Sequence, residues 1–185
     1  MGKTNRTPDF LSKFPLGKVP AFEAADGTTL FESDAITQYI AESGPAADQL
    51  IGATPAERAS IRQWICYAQG EILDPLTELV LWRLGIRSYD AKIEETNIAR
   101  LERSLTCLET HLKDRTWFVG NEKFSLADIT VASALVWGFS MVIDAEMRQK
   151  FPSVITWYER IIEAKGVKEA FGEKKYIEKR QGPQA

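Results

Sequence analysis

Residues 15–36 read PLGKVPAFEAADGTTLFESDAI, and the choice of fold turns on them. Two short apolar runs, Val19–Ala24 and Thr28–Phe31, flank Asp26-Gly27, a dipeptide suited to the left-handed backbone of a tight hairpin turn. Pro20 removes a donor from the first strand, which confines that strand to an edge or a bend. If the Val19-Pro20 bond is cis, the Val19 N–H and C=O turn outward together and can pair with an extended peptide. A kinked edge strand fits the same residues. Ser33 then opens a helix expected over 34–42, with Ile36, Tyr39 and Ile40 on one side. At such a start the free N–H groups and the positive dipole end favour a carboxylate. The Ser33 hydroxyl can donate as well, the Glu32 carboxylate can hold an ammonium, and Lys18 can reach a second carboxylate. The plainer alternative is that Ser33 only caps its helix and Glu32 is solvated. Together the three features match a ligand with an α-amino-acid head, a central peptide bond and a terminal carboxylate.

Outside the hairpin the pattern is helical. TPDFLSKF (7–14) reads as a short helix in which Thr7 can cap, Pro8 suits the first position and Asp9 the first turn. SGPAADQLIGATP (43–55) is small and polar, and 44–53 reads as a linker between domains spanning 1–43 and 54–172. Thr54-Pro55-Ala56-Glu57 forms a capping box. Ile61, Ile65, Ala68 and Ile72 follow at helical spacing, and Pro75 is expected to kink or break that helix. Ile98, Leu101, Leu105, Leu108 and Leu112 make one apolar stripe. In KFSLADITVASALVWGFSMVI (123–143) Ser125 can cap, Asp128 answers three residues on, and Phe124 can staple to Ile129. With apolar residues on most sides, that helix is expected to be central and buried. A last amphipathic helix is expected from Ser153 to Ala164, and 173–185 reads as a solvated polar tail. The fold class is therefore α+β, mainly α: helix, β-hairpin and helix, followed by an all-helical bundle.

Composition narrows the function classes. The chain is 44% apolar and 26% charged with a net charge of −3, an ordinary globular balance that argues against a general nucleic-acid or anionic-membrane surface. No run approaches the roughly 20 apolar residues of a membrane span. Cys66 and Cys107 lack metal-ligand spacing and read as buried apolar fillers in a reducing, cytoplasmic compartment. His111 reads as an ordinary helix-end residue, and no metal site is expected.

The motifs carry a family resemblance. GKVPAFE…DG…LFESDAI resembles the glutathione-binding half of the thioredoxin-like domain of glutathione transferases. FVGNEKFSLADITVASAL resembles the capping box and staple of their helical domain. TNRTPDFLSKFPLGKVPAFE is especially similar to the transferase-like domain of elongation factor 1-gamma and to related fungal transferases. The resemblance runs from about Thr4 to Phe171. It implies a partial thioredoxin-like α/β unit followed by an all-α C-terminal bundle, with glutathione as co-substrate. Val19, before a cis Pro20, would pair with the cysteinyl backbone. Glu32 and Ser33 would hold the γ-glutamyl head, and Lys18 the glycyl carboxylate. Ser125 and Asp128 would be structural. A small hydrophobic electrophile would lie against the first long helix of the bundle, where Tyr67, Glu71 and Trp82 are candidates. The implied activity is conjugation of the glutathione thiol to that electrophile, in a homodimer. The alternative is a non-catalytic assembly domain of the elongation factor 1-gamma type, with translation exchange-factor subunits as partners.

Members of the family open with a strand, a helix and a second strand that carry the Tyr, Ser or Cys stabilising the glutathione thiolate. This sequence starts near the second helix, so the first unit is expected to be absent and no catalytic residue is assigned. Three explanations stay open: a truncated sequence, a natural degenerate member, or strands supplied by a partner or second copy.

Overall fold

Thr7 and Pro8 start the first helix, α1 (Pro8–Lys13), as their chemistry requires. The Phe10 N–H donates to Thr7 Oγ1 at 3.3 Å, and proline occupies a first-turn position where no donor is needed. The hairpin follows as β1 (Ala21–Glu23) and β2 (Thr29–Phe31), antiparallel in the register Ala21↔Phe31, Phe22↔Leu30 and Glu23↔Thr29. Gly27 turns the chain at φ 88°, and the Thr28 N–H donates to Asp26 Oδ1 at 2.9 Å. The first strand is shorter than the expected Val19–Ala24, because Pro20 has no N–H for the ladder and pairing begins only after it.

Helix α2 (Ser33–Ser43) buries Ile36 and Ala41, and Tyr39 packs its ring 5.7 Å from that of Phe22. Ile40, expected on the same side, is instead 51% exposed. The segment 44–53 is not a plain linker: Ala47–Ile51 form a further helix, α3. The computed structural model describes residues 2–120 and 122–183. These fall into two units that divide between Ile51 and Gly52.

The second unit begins at α4 (Pro55–Tyr67), whose capping box closes with Thr54 N–H to Glu57 Oε2 at 3.0 Å and Glu57 N–H to Thr54 Oγ1 at 3.2 Å. Pro75 does interrupt the helix, and the interruption takes the form of a π-helical stretch, Ala68–Leu73, before α5 (Asp74–Arg83). Proline cannot donate to the carbonyl four residues back. That carbonyl belongs to Glu71, and the Ser104 hydroxyl donates to it instead at 2.7 Å. Ser104 lies on α6 (Ala91–Leu112), where Leu101, Leu105, Leu108 and Leu112 are buried. Ile98 is only half-buried and Asn97 takes the inward position beside it.

Helix α7 (Leu126–Met141) passes through the core, with Val131, Ala132 and Leu135 fully enclosed. Gly138 lets it approach α5, since a Cβ there would meet Leu76 at 3.0 Å. Among the apolar residues of this helix Trp137 is the one left exposed, at 52%. Short α8 (Ala145–Gln149), α9 (Pro152–Ile162) and α10 (Lys168–Phe171) complete the unit.

Two expectations are corrected here. Cys66 and Cys107 are both exposed, because the inward positions of α4 and α6 fall on Ile61, Trp64 and Ile65 and on Leu101, Leu105 and Leu108. The segment after Gly172 is not simply solvated. Tyr176 stacks 5.1 Å from Phe139, the Ile177 N–H donates to Phe139 O at 3.2 Å, and Arg148 Nη1 reaches Ile177 O at 2.6 Å. Aromatic packing and backbone pairing outweigh the solubility of the neighbouring lysines.

Candidate functional site

The hairpin register determines which predicted residues meet. Ala21 faces Phe31 at the last pair of the ladder, so Val19 and Pro20 enter the hairpin at the same end from which Glu32 and Ser33 leave it. All four share one end of the hairpin, and with Lys18 all five predicted residues are exposed. The Val19-Pro20 bond is cis. Neither the N–H nor the C=O of Val19 takes a hydrogen bond among the described residues.

Glu32 has φ 70° and ψ 120°, and it is the one non-glycine residue with positive φ among those described. A backbone held in so sparse a region costs of order 1–3 kcal/mol. Glu32 is also the cap of α2: its C=O accepts from the Ile36 N–H at 3.1 Å, while its carboxylate makes no capping bond. Ser33 is therefore the first helical residue rather than the cap. Its N–H precedes the helical ladder, and its hydroxyl has no partner among the described residues. The result is an exposed helix start with a carboxylate beside it, able to receive a carboxylate and an ammonium on one carbon.

The co-substrate candidates are engaged within the helical unit. The Tyr67 hydroxyl donates to Ser104 O at 3.0 Å. Burial, then the neighbouring Cys107 thiol, raises its pKa above the ordinary tyrosine value. Glu71 pairs with Arg103, so Tyr67 and Glu71 both meet α6 around Ser104. Trp82 belongs to a different group. Its indole N–H donates to Glu94 Oε2 at 2.8 Å, and Arg83 stacks 4.2 Å above its ring. The Arg83 side chain, 2% exposed, also binds Glu94 in a fork, with Nη2 to Oε1 at 2.6 Å. Burial works against the Glu94 charge, yet Arg83 and Trp82 hold its carboxyl below the usual range.

The Ser125–Asp128 box forms the centre of the second unit. Asp128 accepts from the Ser125 N–H at 2.8 Å, the Ser125 hydroxyl at 3.0 Å, the Phe118 N–H at 3.0 Å and the Trp157 indole N–H at 2.9 Å. Burial nevertheless outweighs these donors and keeps its carboxyl above the usual range. Sequence reasoning missed Glu109, whose carboxylate accepts from the Ser153 and Val154 N–H groups at 2.9 and 3.0 Å and so caps α9. It also missed that His111 Nε2 meets Phe118 O at 3.0 Å, with the ring stacked on Phe118. Among the described residues no group of His, Cys, Asp and Glu could hold a metal ion, and no helix is long and apolar enough to cross a membrane.

The profile of the glutathione S-transferase N-terminal domain matches residues 1–42, and that of the C-terminal domain matches residues 72–165. A glutathione S-transferase-like protein, LUC7, from Fusarium sp is 54% identical over 168 residues, covering 91% of this chain and 76% of its own. Elongation factor 1-gamma from Rattus norvegicus is 41% identical over 178 residues, covering 96% of this chain but 39% of its own length. The crystal structure of the GST-like domain of elongation factor 1-gamma from Saccharomyces cerevisiae superposes with a TM-score of 0.86 at 25% identity, covering 96% of this chain and 83% of that one. The chain belongs to the glutathione S-transferase family.

Proposed function

We propose that the open end of the hairpin binds glutathione and that, when the first strand-helix-strand unit with its thiolate-stabilising residue is present, the protein conjugates the glutathione thiol to a small hydrophobic electrophile. The observation that supports this reading is the pairing of Ala21 with Phe31, since Val19 and Pro20 precede the one and Glu32 and Ser33 follow the other. The γ-glutamyl carboxylate would take the Ser33 N–H and hydroxyl at the positive end of α2, and its ammonium the Glu32 carboxylate. The Val19 N–H and C=O would pair with the cysteinyl backbone as an added strand, and Lys18 would hold the glycyl carboxylate. The thiolate is the nucleophile: its sulfur forms the new C–S bond while the leaving group departs with the bonding pair. Tyr67, Glu71 and Trp82 are the residues assigned to the electrophile, Ser125 and Asp128 to structure. The proposed setting is cytoplasmic and the assembly a homodimer. The boundaries 1–43, 44–53, 54–172 and 173–185 remain the proposed division of roles.

The test is retention of the full-length protein on immobilised glutathione. Ser33→Ala and Glu32→Ala should each abolish it, and retention undiminished in both overturns the site. Turnover of a generic aryl halide above the buffer rate, by the chain carrying the first strand-helix-strand unit, supports conjugation, and turnover equal to that rate removes it.

A second reading rests on the similarity to elongation factor 1-gamma, at 41% identity over 178 residues. In that reading the chain is an assembly domain in translation elongation. Co-purification with exchange-factor subunits, together with no aryl-halide turnover, favours it.

A further inference from the structure

A groove of about 550 Å³ opens on the second unit, away from any residue assigned above. Its apolar walls come from Trp137 and Met141 on the last turns of α7, Ile162 on α9, and Phe171 at the end of α10. That volume lies within the range of small-molecule sites, which are mostly apolar with a few placed polar groups. Trp137 is 52% exposed on this wall, an unusual position for a large indole face unless something packs against it. The far rim is fixed in place. Gly172, at φ 67°, turns the chain out of α10, and the docked Tyr176 holds residues 173–175 along the edge, with Arg148 4.7 Å over its ring.

The groove also contains a placed polar group. Tyr158 lines it, is 5% exposed, and packs its ring 4.3 Å from Phe139. Its hydroxyl makes no hydrogen bond among the described residues and is not enclosed, so it is left open to an acceptor entering the groove. Burial pushes the hydroxyl up to about 12, so at neutral pH it is a phenol with a proton to donate. The rim charges are close to balanced. Lys174 is answered by Glu159 at 2.7 Å, and Glu173 and Lys175 sit two residues apart on the same edge. Such a rim favours neither an anion nor a cation.

We propose that this groove is a binding site for an uncharged ring compound bearing one acceptor oxygen, a ketone or ester, which the Tyr158 hydroxyl receives while Trp137, Met141, Ile162 and Phe171 enclose the rings. The site stands independently of the glutathione reading, because every residue in it belongs to the helical unit.

Two fluorescent probes of similar size test it on the full-length protein. Prodan is an uncharged naphthyl ketone with the required acceptor, and phenylnaphthylamine is an uncharged naphthyl compound without a carbonyl. Tyr158→Phe keeps the ring and removes only the hydroxyl. It should weaken prodan about five-fold, the worth of one hydrogen bond, and leave phenylnaphthylamine unchanged. Trp137→Ala, at an exposed position that folding tolerates, should weaken both probes by about ten-fold through loss of the indole wall. Prodan binding that Tyr158→Phe leaves intact, or that falls in step with phenylnaphthylamine, overturns the acceptor assignment. Binding of both probes unaffected by Trp137→Ala overturns the site.

Discussion

The two units differ in what holds them together. In the first, the buried apolar residues are Phe14, Ile36 and Ala41, around a two-stranded sheet. In the second, Ile72, Leu79, Leu101, Leu108, Val131, Leu135 and Ile161 lose all contact with solvent, and a buried carboxylate organises the aromatic residues around it. A short hairpin with one partly covered face is marginal by itself, whereas a multi-helix core supplies most of a domain's stability. The proposed ligand groups sit on the thinner unit, exposed and with donors unused. Stability and the proposed recognition thus fall to different parts of the chain, and a substitution should disturb one without the other. That separation can be attacked from either side.

The largest effect belongs to Asp128. Asp128→Ala leaves the Phe118 N–H, the Ser125 N–H and the Trp157 indole N–H buried without an acceptor. At about 1–3 kcal/mol for each orphaned donor, the loss should be about 4 kcal/mol in denaturant unfolding. The pH dependence has a definite sign. The folded carboxyl titrates above its unfolded value, so this group's contribution is fully present below the ordinary aspartate range and is lost as pH rises through the raised value. Asp128→Asn should remove that segment of the stability profile. A loss under about 1 kcal/mol for Asp128→Ala would mean the box does not organise the unit.

Much of this was legible because the partners are near in sequence. Thr54 with Glu57, Ser125 with Asp128, and Asp26 with Thr28 all close over two or three residues, and the leucine stripe of α6 repeats every three or four. The candidate site was legible for the same reason, since its two halves flank one hairpin. What escaped lies far apart in the chain. Glu71 with Ser104, Glu109 with Ser153, Asp128 with Trp157, and Arg148 with Ile177 are tertiary pairs that no local period announces. The cysteines and Ile40 were misplaced because apolar character was taken for burial, although helical phase decides which side an apolar residue faces. The tail was misread from its lysines, when Tyr176 and the backbone of Ile177 decide where it lies.

One of those tertiary pairs gives the next prediction. If Ser104 supplies the donor that Pro75 cannot, Ser104→Ala should cost about 1–2 kcal/mol by orphaning the Glu71 carbonyl. Pro75→Ala restores an N–H four residues beyond that carbonyl, so Ser104→Ala should cost less in the Pro75→Ala background. Unfolding of the four proteins in the cycle should show coupling on the order of 1 kcal/mol. Strict additivity would break the link between proline and serine. A smaller effect is expected from Arg148→Ala, which loses the bonds to Ile143 O and Ile177 O and the stack on Tyr176. The loss should be on the order of 1 kcal/mol, with faster tryptic cleavage at Lys174 and Lys175. Unchanged cleavage would show that the tail is held without Arg148, by the Tyr176 ring and the backbone bonds of Ile177 and Glu178.

The smallest change in stability carries the most about recognition, and it concerns Glu32. A positive φ is strained for any residue with a Cβ and nearly free for glycine. Glu32→Gly should therefore be about 1 kcal/mol more stable than Glu32→Ala in the unfolding of the first unit. Both variants lose the carboxylate, so both should lose retention on immobilised glutathione. A gain in stability with a loss of binding would mean that the strained conformation is kept because a side chain is needed at that corner of the hairpin. A glycine variant that is more stable and still retained would separate the strain from the ligand and remove the carboxylate from the site. Equal stability of the glycine and alanine variants would show that the backbone at Glu32 stores no strain.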